Sequence, residues 1–140
     1  EAMLHADIKN VFKYKGVDII SKNILSIAEK KIRKGMRFTE SGFHEIEEFY
    51  EKITENVKLT LSAFARSDVE LARKVLQNRN LIKSEEFESR QNHFLRLAKK
   101  ETQAIETTSL HLDLLSNLCS IDMNISNVAR LILEERTKSN

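Results

Sequence analysis

Any chemistry in this chain would have to come from its histidines, its cysteine and its carboxylates, so their spacing is the first constraint. A ferritin-type di-iron bundle needs a Glu-x-x-His step, which places both ligands on one turn of an inward helical face. None of His5, His44, His93 and His111 has a glutamate three residues before it. Neither HExxH nor CxxC occurs, so the common zinc patterns are missing. Gly16, Gly35 and Gly42 are too dispersed to build a GxGxxG or P-loop phosphate cradle. His111 falls on the extension of an apolar stripe, beside Asp113, and reads first as a hydrogen-bonded histidine near a bundle end, and second as a ligand or switch. Cys119 neighbours the same stripe and reads as a small buried filler, since a reactive thiol needs an electropositive setting. No nucleophile–base pair emerges, so the expectation is a protein that is not an enzyme and holds no cofactor and no metal.

Charge gives a different signal. Lys30, Lys31, Arg33, Lys34 and Arg37 place five cations within eight residues. One reading is helix-dipole compensation and solubility; the other is contact with anionic lipid or an acidic partner. Glu45, Glu47, Glu48, Glu51 and Glu55 follow as an acidic run, read mainly as a solvated face with a few residues paired to the basic run. Over the whole chain the formal charge is only +2 with both signs interspersed, which argues against nucleic acid as a partner. A lone cysteine cannot make an internal disulfide, and no run of about 18 apolar residues exists to span a membrane. No signal-peptide pattern is present, and a cytoplasmic location is the simplest expectation. Opening on Glu1 rather than Met, the chain is expected to be part of a longer protein.

The elements that must position these residues are helices. There is no proline, and the three glycines leave long uninterrupted helices permitted almost everywhere. The first helix is predicted over 4–34, with Val17, Ile20, Ile24 and Ile27 on one stripe and Gly35 free to take the left-handed position beyond its end. The second, over 39–66, starts at Thr39 as N-cap. Its seam is Phe43, Ile46, Tyr50, Ile53, Val57, Leu61 and Phe64, about 40 Å long at 1.5 Å per residue. Ser67-Asp68-Val69-Glu70 reads as a capping box in which the Ser67 hydroxyl caps and Glu70 reaches back.

A third helix is predicted over 68–99, with Val69, Ala72, Leu76, Ile82, Phe87, Phe94 and Leu97 inward and a kink near 78–80. The turn that follows lacks glycine. A fourth helix, over 103–136, has the seam Leu114, Leu118, Ile121, Ile125, Val128 and Ile132, with a frayed tail from Glu135. Four long helices with short connections fold as one all-α, antiparallel up-down bundle spanning 1–140.

Three strings carry a resemblance. The first is Glu29-Lys30-Lys31-Ile32-Arg33-Lys34-Gly35, then Phe38-Thr39-Glu40 and the acidic helix through Phe49-Tyr50-Glu51-Lys52. The second runs from Arg66-Ser67-Asp68-Val69-Glu70 through Leu71-Ala72-Arg73-Lys74-Val75. The third is Leu112-Asp113-Leu114-Leu115-Ser116-Asn117-Leu118, followed by Ile121 and Asn127-Val128-Ala129. In this order, over about 17–137, they resemble one repeat of a PhoU domain, and Ser26-Ile27-Ala28-Glu29 with Ile20 is similar to the tail helix of a preceding repeat.

The whole is similar to the cytoplasmic C-terminal domain of bacterial sodium/phosphate cotransporter-like proteins. That resemblance implies a regulator of phosphate uptake at the inner face of the cell membrane. It would act on a membrane phosphate transporter, in cis or in trans, or on a phosphate-signalling protein, with Lys30, Lys31, Arg33, Lys34 and Arg37 as the membrane or partner contact. The family's metal motif, carried over by position, falls on Cys119 and Met123 and, in the first helix, on Asp18 and Lys22; Asp122 stands one position off. Three of those four positions lack a carboxylate, so no tightly bound metal is expected. A generic helical scaffold or homodimerisation module, and a metal-binding PhoU-type bundle, stay open as alternatives.

Overall fold

The computed structural model describes residues 17–138, and the side chains of 22–138. Residues 4–16 of the expected first helix, including His5 and Gly16, lie outside the described residues, as do the side chains of Val17, Asp18 and Ile20. Four helices are present: α1 (Val17–Arg33), α2 (Glu40–Arg66), α3 (Val69–Ala98) and α4 (Thr102–Lys138). The fourth continues to Lys138, beyond the point where the sequence suggests fraying. α3 runs without a break through 78–80, the stretch where its apolar periodicity is weakest.

The helix ends explain why turns so poor in glycine still close. Gly35, Ser67 and Lys100 each take left-handed backbone, with φ of 60°, 49° and 57°. In each case the next amide bonds back five residues: Met36 to Lys31 at 3.0 Å, Asp68 to Ala63 at 2.9 Å, Glu101 to Arg96 at 3.2 Å. This is the Schellman arrangement, which satisfies carbonyls that a helix end otherwise leaves orphaned. It corrects the capping-box reading. Ser67 ends α2, and the Asp68 carboxylate caps α3 by accepting from the Glu70 and Leu71 amides, both at 3.0 Å. Glu70 pairs instead with Arg73 one turn on. Thr39 is the N-cap of α2, and its hydroxyl accepts from the Gly42 amide at 3.0 Å.

α4 touches all three other helices, α2 and α3 also pack on each other, and α1 packs chiefly on α4. Pairings such as Asn56 with Asp122 and His93 with Thr108 run α2 parallel and α3 antiparallel to α4. Asn23 opposite Asn117 and Lys30 opposite Ser109 make α1 antiparallel to α4 as well. The chain is therefore an all-α up-down bundle, with α2–α4 as its core and α1 laid against α4.

Along the bundle axis the interior alternates. One apolar cluster, Ala63, Ala72, Val75, Val128, Ala129 and Ile132, fills one end. Another, Phe49, Ile53, Ile82, Leu115 and Leu118, fills the middle. Polar layers lie between and beyond them.

This layering shifts the predicted seams. On α2 the buried face is Ile46, Phe49, Ile53, Asn56, Thr60 and Ala63, while Phe43, Tyr50 and Leu61 of the expected seam are exposed. On α3, Phe87 and Phe94 are exposed, and Val75, Ser89, His93 and Arg96 are buried in their place. The cause is shared: Asn56, His93 and Arg96 find partners across the core and so can be buried, rotating the apolar stripe toward solvent. The α4 seam holds, with Leu118, Ile125, Val128 and Ile132 buried and Leu114 and Ile121 half-buried.

Candidate functional site

Two buried polar layers and one charged end carry the chemistry-bearing residues. In the first layer, the fully buried Asp122 accepts from Asn56 Nδ2 at 2.7 Å and pairs with Arg79 Nη1 at 3.1 Å. Asn56 Nδ2 also donates to the Val75 carbonyl at 3.3 Å, and its Oδ1 accepts from Asn78 at 3.2 Å. Three helices are thus tied at one level. A buried charge costs several kcal/mol unless paired and hydrogen-bonded, and here both conditions are met.

The second layer sits where α2 begins and α3 ends. Glu45 takes a two-pronged ion pair from Arg96, at 3.0 Å on each prong, and a further bond from Asn92 at 3.1 Å. Beside it the His93 and His111 rings stack with centroids 4.6 Å apart, and Phe38 meets His111 edge-on at 5.9 Å. Gly42 makes room for this: a Cβ there would stand 2.8 Å from Thr39 Oγ1, 3.4 Å from Arg96 Nη2 and 3.5 Å from His111 Cε1. Burial above all, then His93, Arg96 and Arg90, pull the His111 pKa down to about 3. His93 is lowered too, by burial and Arg96 against the opposing pull of Glu45. Both imidazoles are therefore neutral at pH 7. His111 is a packed core histidine, and Asp113, its neighbour in sequence, is exposed.

Cys119 is half-buried, and burial, followed by the Glu86 carboxylate, pushes its thiol up to about 12. A protonated thiol is neither a nucleophile nor a good metal ligand. Met123 is 42% exposed and Lys22 is an exposed cation. A hard metal ion needs several oxygen ligands, and this donor set does not fit one. Asp122, one position off the motif in sequence, is committed to Arg79 and Asn56. Between α2 and α3 lies an open cleft of about 200 Å³ edged by Glu45, Glu48, Glu85 and Glu88. Glu45 is spent on Arg96 there and Glu85 on Lys52, so the cleft is not a prepared cation site either.

The basic run divides in two. Lys30 Nζ reaches Ser109 Oγ at 3.4 Å and Lys31 Nζ stands 5.9 Å over the Phe38 ring, so both help seat α1. Arg33, Lys34 and Arg37 are exposed. Sequence reasoning missed Asn56, Arg79 and Arg96 altogether, placed His93 on no site, and expected Glu45 in a solvated acidic run partly paired with the basic run, whereas it pairs with Arg96.

A layered three-helix core with one helix laid against it defines an all-α helical module, and the comparisons say which family it belongs to. Residues 46–132 match the PhoU domain, and the chain belongs to that family. It is 30% identical over 118 residues to proteins named "Putative inorganic phosphate export protein YjbB" from Escherichia coli K12 and Salmonella typhimurium. That stretch is 84% of this chain but only 22% of those proteins. No solved structure matches the chain. Among the described residues, no helix is long and apolar enough to cross a membrane.

Proposed function

We propose that this bundle is the regulatory unit of a phosphate-transport protein of the sodium/phosphate cotransporter-like kind, working by protein contact rather than catalysis. The observation that carries the reading is the PhoU match over 46–132, joined to the likeness with proteins named for phosphate export. The chain acts as one unit over 1–140, at the cytoplasmic face of the membrane, on a phosphate transporter or a phosphate-signalling protein. Lys30, Lys31, Arg33, Lys34 and Arg37 form the contact, with Arg33, Lys34 and Arg37 outermost because Lys30 and Lys31 are partly engaged by the bundle itself.

Physical support comes from how little else the fold offers. His93 and His111 are packed and neutral, the thiol is protonated, and the buried Asp122 carboxylate is paired. Surface is what remains.

The test is a pull-down with the chain as bait from membranes of phosphate-starved and phosphate-replete cells. Recovery of a phosphate transporter or its sensor, changing with phosphate status and lost when Arg33, Lys34 and Arg37 are changed to Gln, is the expected result. Recovery of neither, with helicity intact, removes the proposal.

A further inference from the structure

The side of the bundle formed by α2 and α3 carries two open compartments in line. The first holds about 200 Å³ between Glu45, Glu48, Glu85 and Glu88, over a floor that includes Ser89. The second holds about 210 Å³ further along the same two helices, between Glu55, Lys74, Asn78 and Leu81. Lys52 and Glu85 line both, and their ion pair at 2.6 Å is the bar between them. Each is smaller than the roughly 300–1,000 Å³ of a cofactor or drug-sized site, so each suits a single side chain.

Charge in the first compartment is not balanced. Glu45 is held by Arg96 and Asn92, and Glu85 by Lys52. Glu48 has only the exposed His44 beside it, at 3.4 Å, and Glu88 makes no ion pair among the described residues. Ser89 is a second, independent sign that something is missing. It is 8% exposed, lines the floor, and its hydroxyl makes no hydrogen bond among the described residues. A hydroxyl inside a helix can bond back to the carbonyl four residues earlier, as those of Thr60, Thr107 and Ser120 do here. The Ser89 hydroxyl does not, and polar groups this buried are rarely left without a partner. The second compartment is different: Glu55 and Lys74 offset each other, and Leu81 stands 63% exposed beside the buried Ile82.

We propose that this groove receives a basic amphipathic segment of a partner protein, with an arginine in the first compartment and an apolar side chain in the second. A guanidinium donates five N–H groups in a fixed fork, so it reaches acceptors on both rims and the floor together, which the point charge of an ammonium does not. A bare metal ion needs more oxygens than Glu48, Glu88 and Ser89 leave free. Ser89 and Ile82, one in each compartment, are separated by about 10 Å along α3 at 1.5 Å per residue. Two side chains seven positions apart on one face of a partner helix match that span, the usual way a helix lies in a groove. The inference goes beyond the phosphate reading and uses none of the basic-turn residues.

Chemical-shift titration of the isotope-labelled 140-residue chain tests it. The probe is a blocked alanine–glutamine peptide with one arginine and one leucine seven positions apart. Its citrulline counterpart and magnesium ion alone are the controls. The arginine peptide should move amides of 45–55 and 78–92 saturably, and less as salt rises. Citrulline for arginine, or Glu48→Gln with Glu88→Gln in the chain, should each weaken binding by about tenfold or more, and Ser89→Ala should weaken it less. Lys52→Gln, which frees Glu85, should tighten it, with helicity by circular dichroism unchanged in every variant. An unmoved groove, equal binding of the citrulline peptide, or binding untouched by the double Gln variant overturns the proposal. So does movement of the same amides by magnesium ion or by protein concentration alone, which assigns the groove to a metal or to a second copy.

Discussion

The Asp122 carboxylate has no contact with water, and Arg79 is the cation that answers its charge. Removing one member of a buried pair leaves the other uncompensated, which costs about 3–5 kcal/mol, whereas replacing both by apolar groups is often neutral. Arg79→Met should therefore destabilise the fold by about that amount in urea denaturation, and Arg79→Met with Asp122→Leu should recover most of it. Equal losses in the single and double variants would show that the pair is not what holds this layer. His111 and His93 give a second expectation at this scale. Their pKa values are depressed in the fold, so the unfolded chain takes protons more readily. Their contribution to stability is complete above the ordinary value of 6.5 and is lost as pH falls from there toward about 3. Thermal melting should drop between pH 7 and about 4.5, and His111→Phe should flatten that drop. Little of this was legible in the sequence. Asn56, Arg79, Asp122, His93 and Arg96 look like surface residues one at a time, and only their mutual pairing across three helices makes burial affordable.

Helices and their ends were legible wherever one residue carries the cause. Gly35 after a basic last turn marks a left-handed C′ position, and the structure gives φ of 60° there. Thr39 before Glu40 marks an N-cap, and it caps. The same Schellman geometry at Ser67 and Lys100 was not legible, because neither residue favours left-handed backbone, and the chain forces both to adopt it. Strain of this kind costs about 1–2 kcal/mol in an L-residue, less what glycine loses in unfolded-state entropy. Lys100→Gly should therefore raise stability by up to about 1 kcal/mol. Gly35→Ala, with open space around its new Cβ, should lower stability by about 1 kcal/mol through backbone strain alone. Matched thermal melts of the two variants check the signs, and a stabilising Gly35→Ala would contradict the assignment. Seam direction was only half legible. On α4 apolar periodicity and burial coincide, but on α2 the apolar row is wider than the bundle can bury, so Phe43, Tyr50 and Leu61 remain outside.

For the molecule as a whole, the absence of proline and the 3.6-residue apolar period dictate an all-α bundle, and the order of three local strings points to the PhoU family; both are shown. Alternation of apolar and polar layers sets the register of the bundle's interior, and the turn after α1 leaves Arg33, Lys34 and Arg37 exposed. The proposed function has this module change a transporter's behaviour by where it docks. The direct measurement is release of radiolabelled phosphate from phosphate-loaded cells, comparing the gene that carries this chain intact with one lacking its coding region. The account predicts that phosphate still moves without the bundle but that the rate no longer follows cellular phosphate status. Identical rates and an identical response to phosphate in the two strains would contradict it.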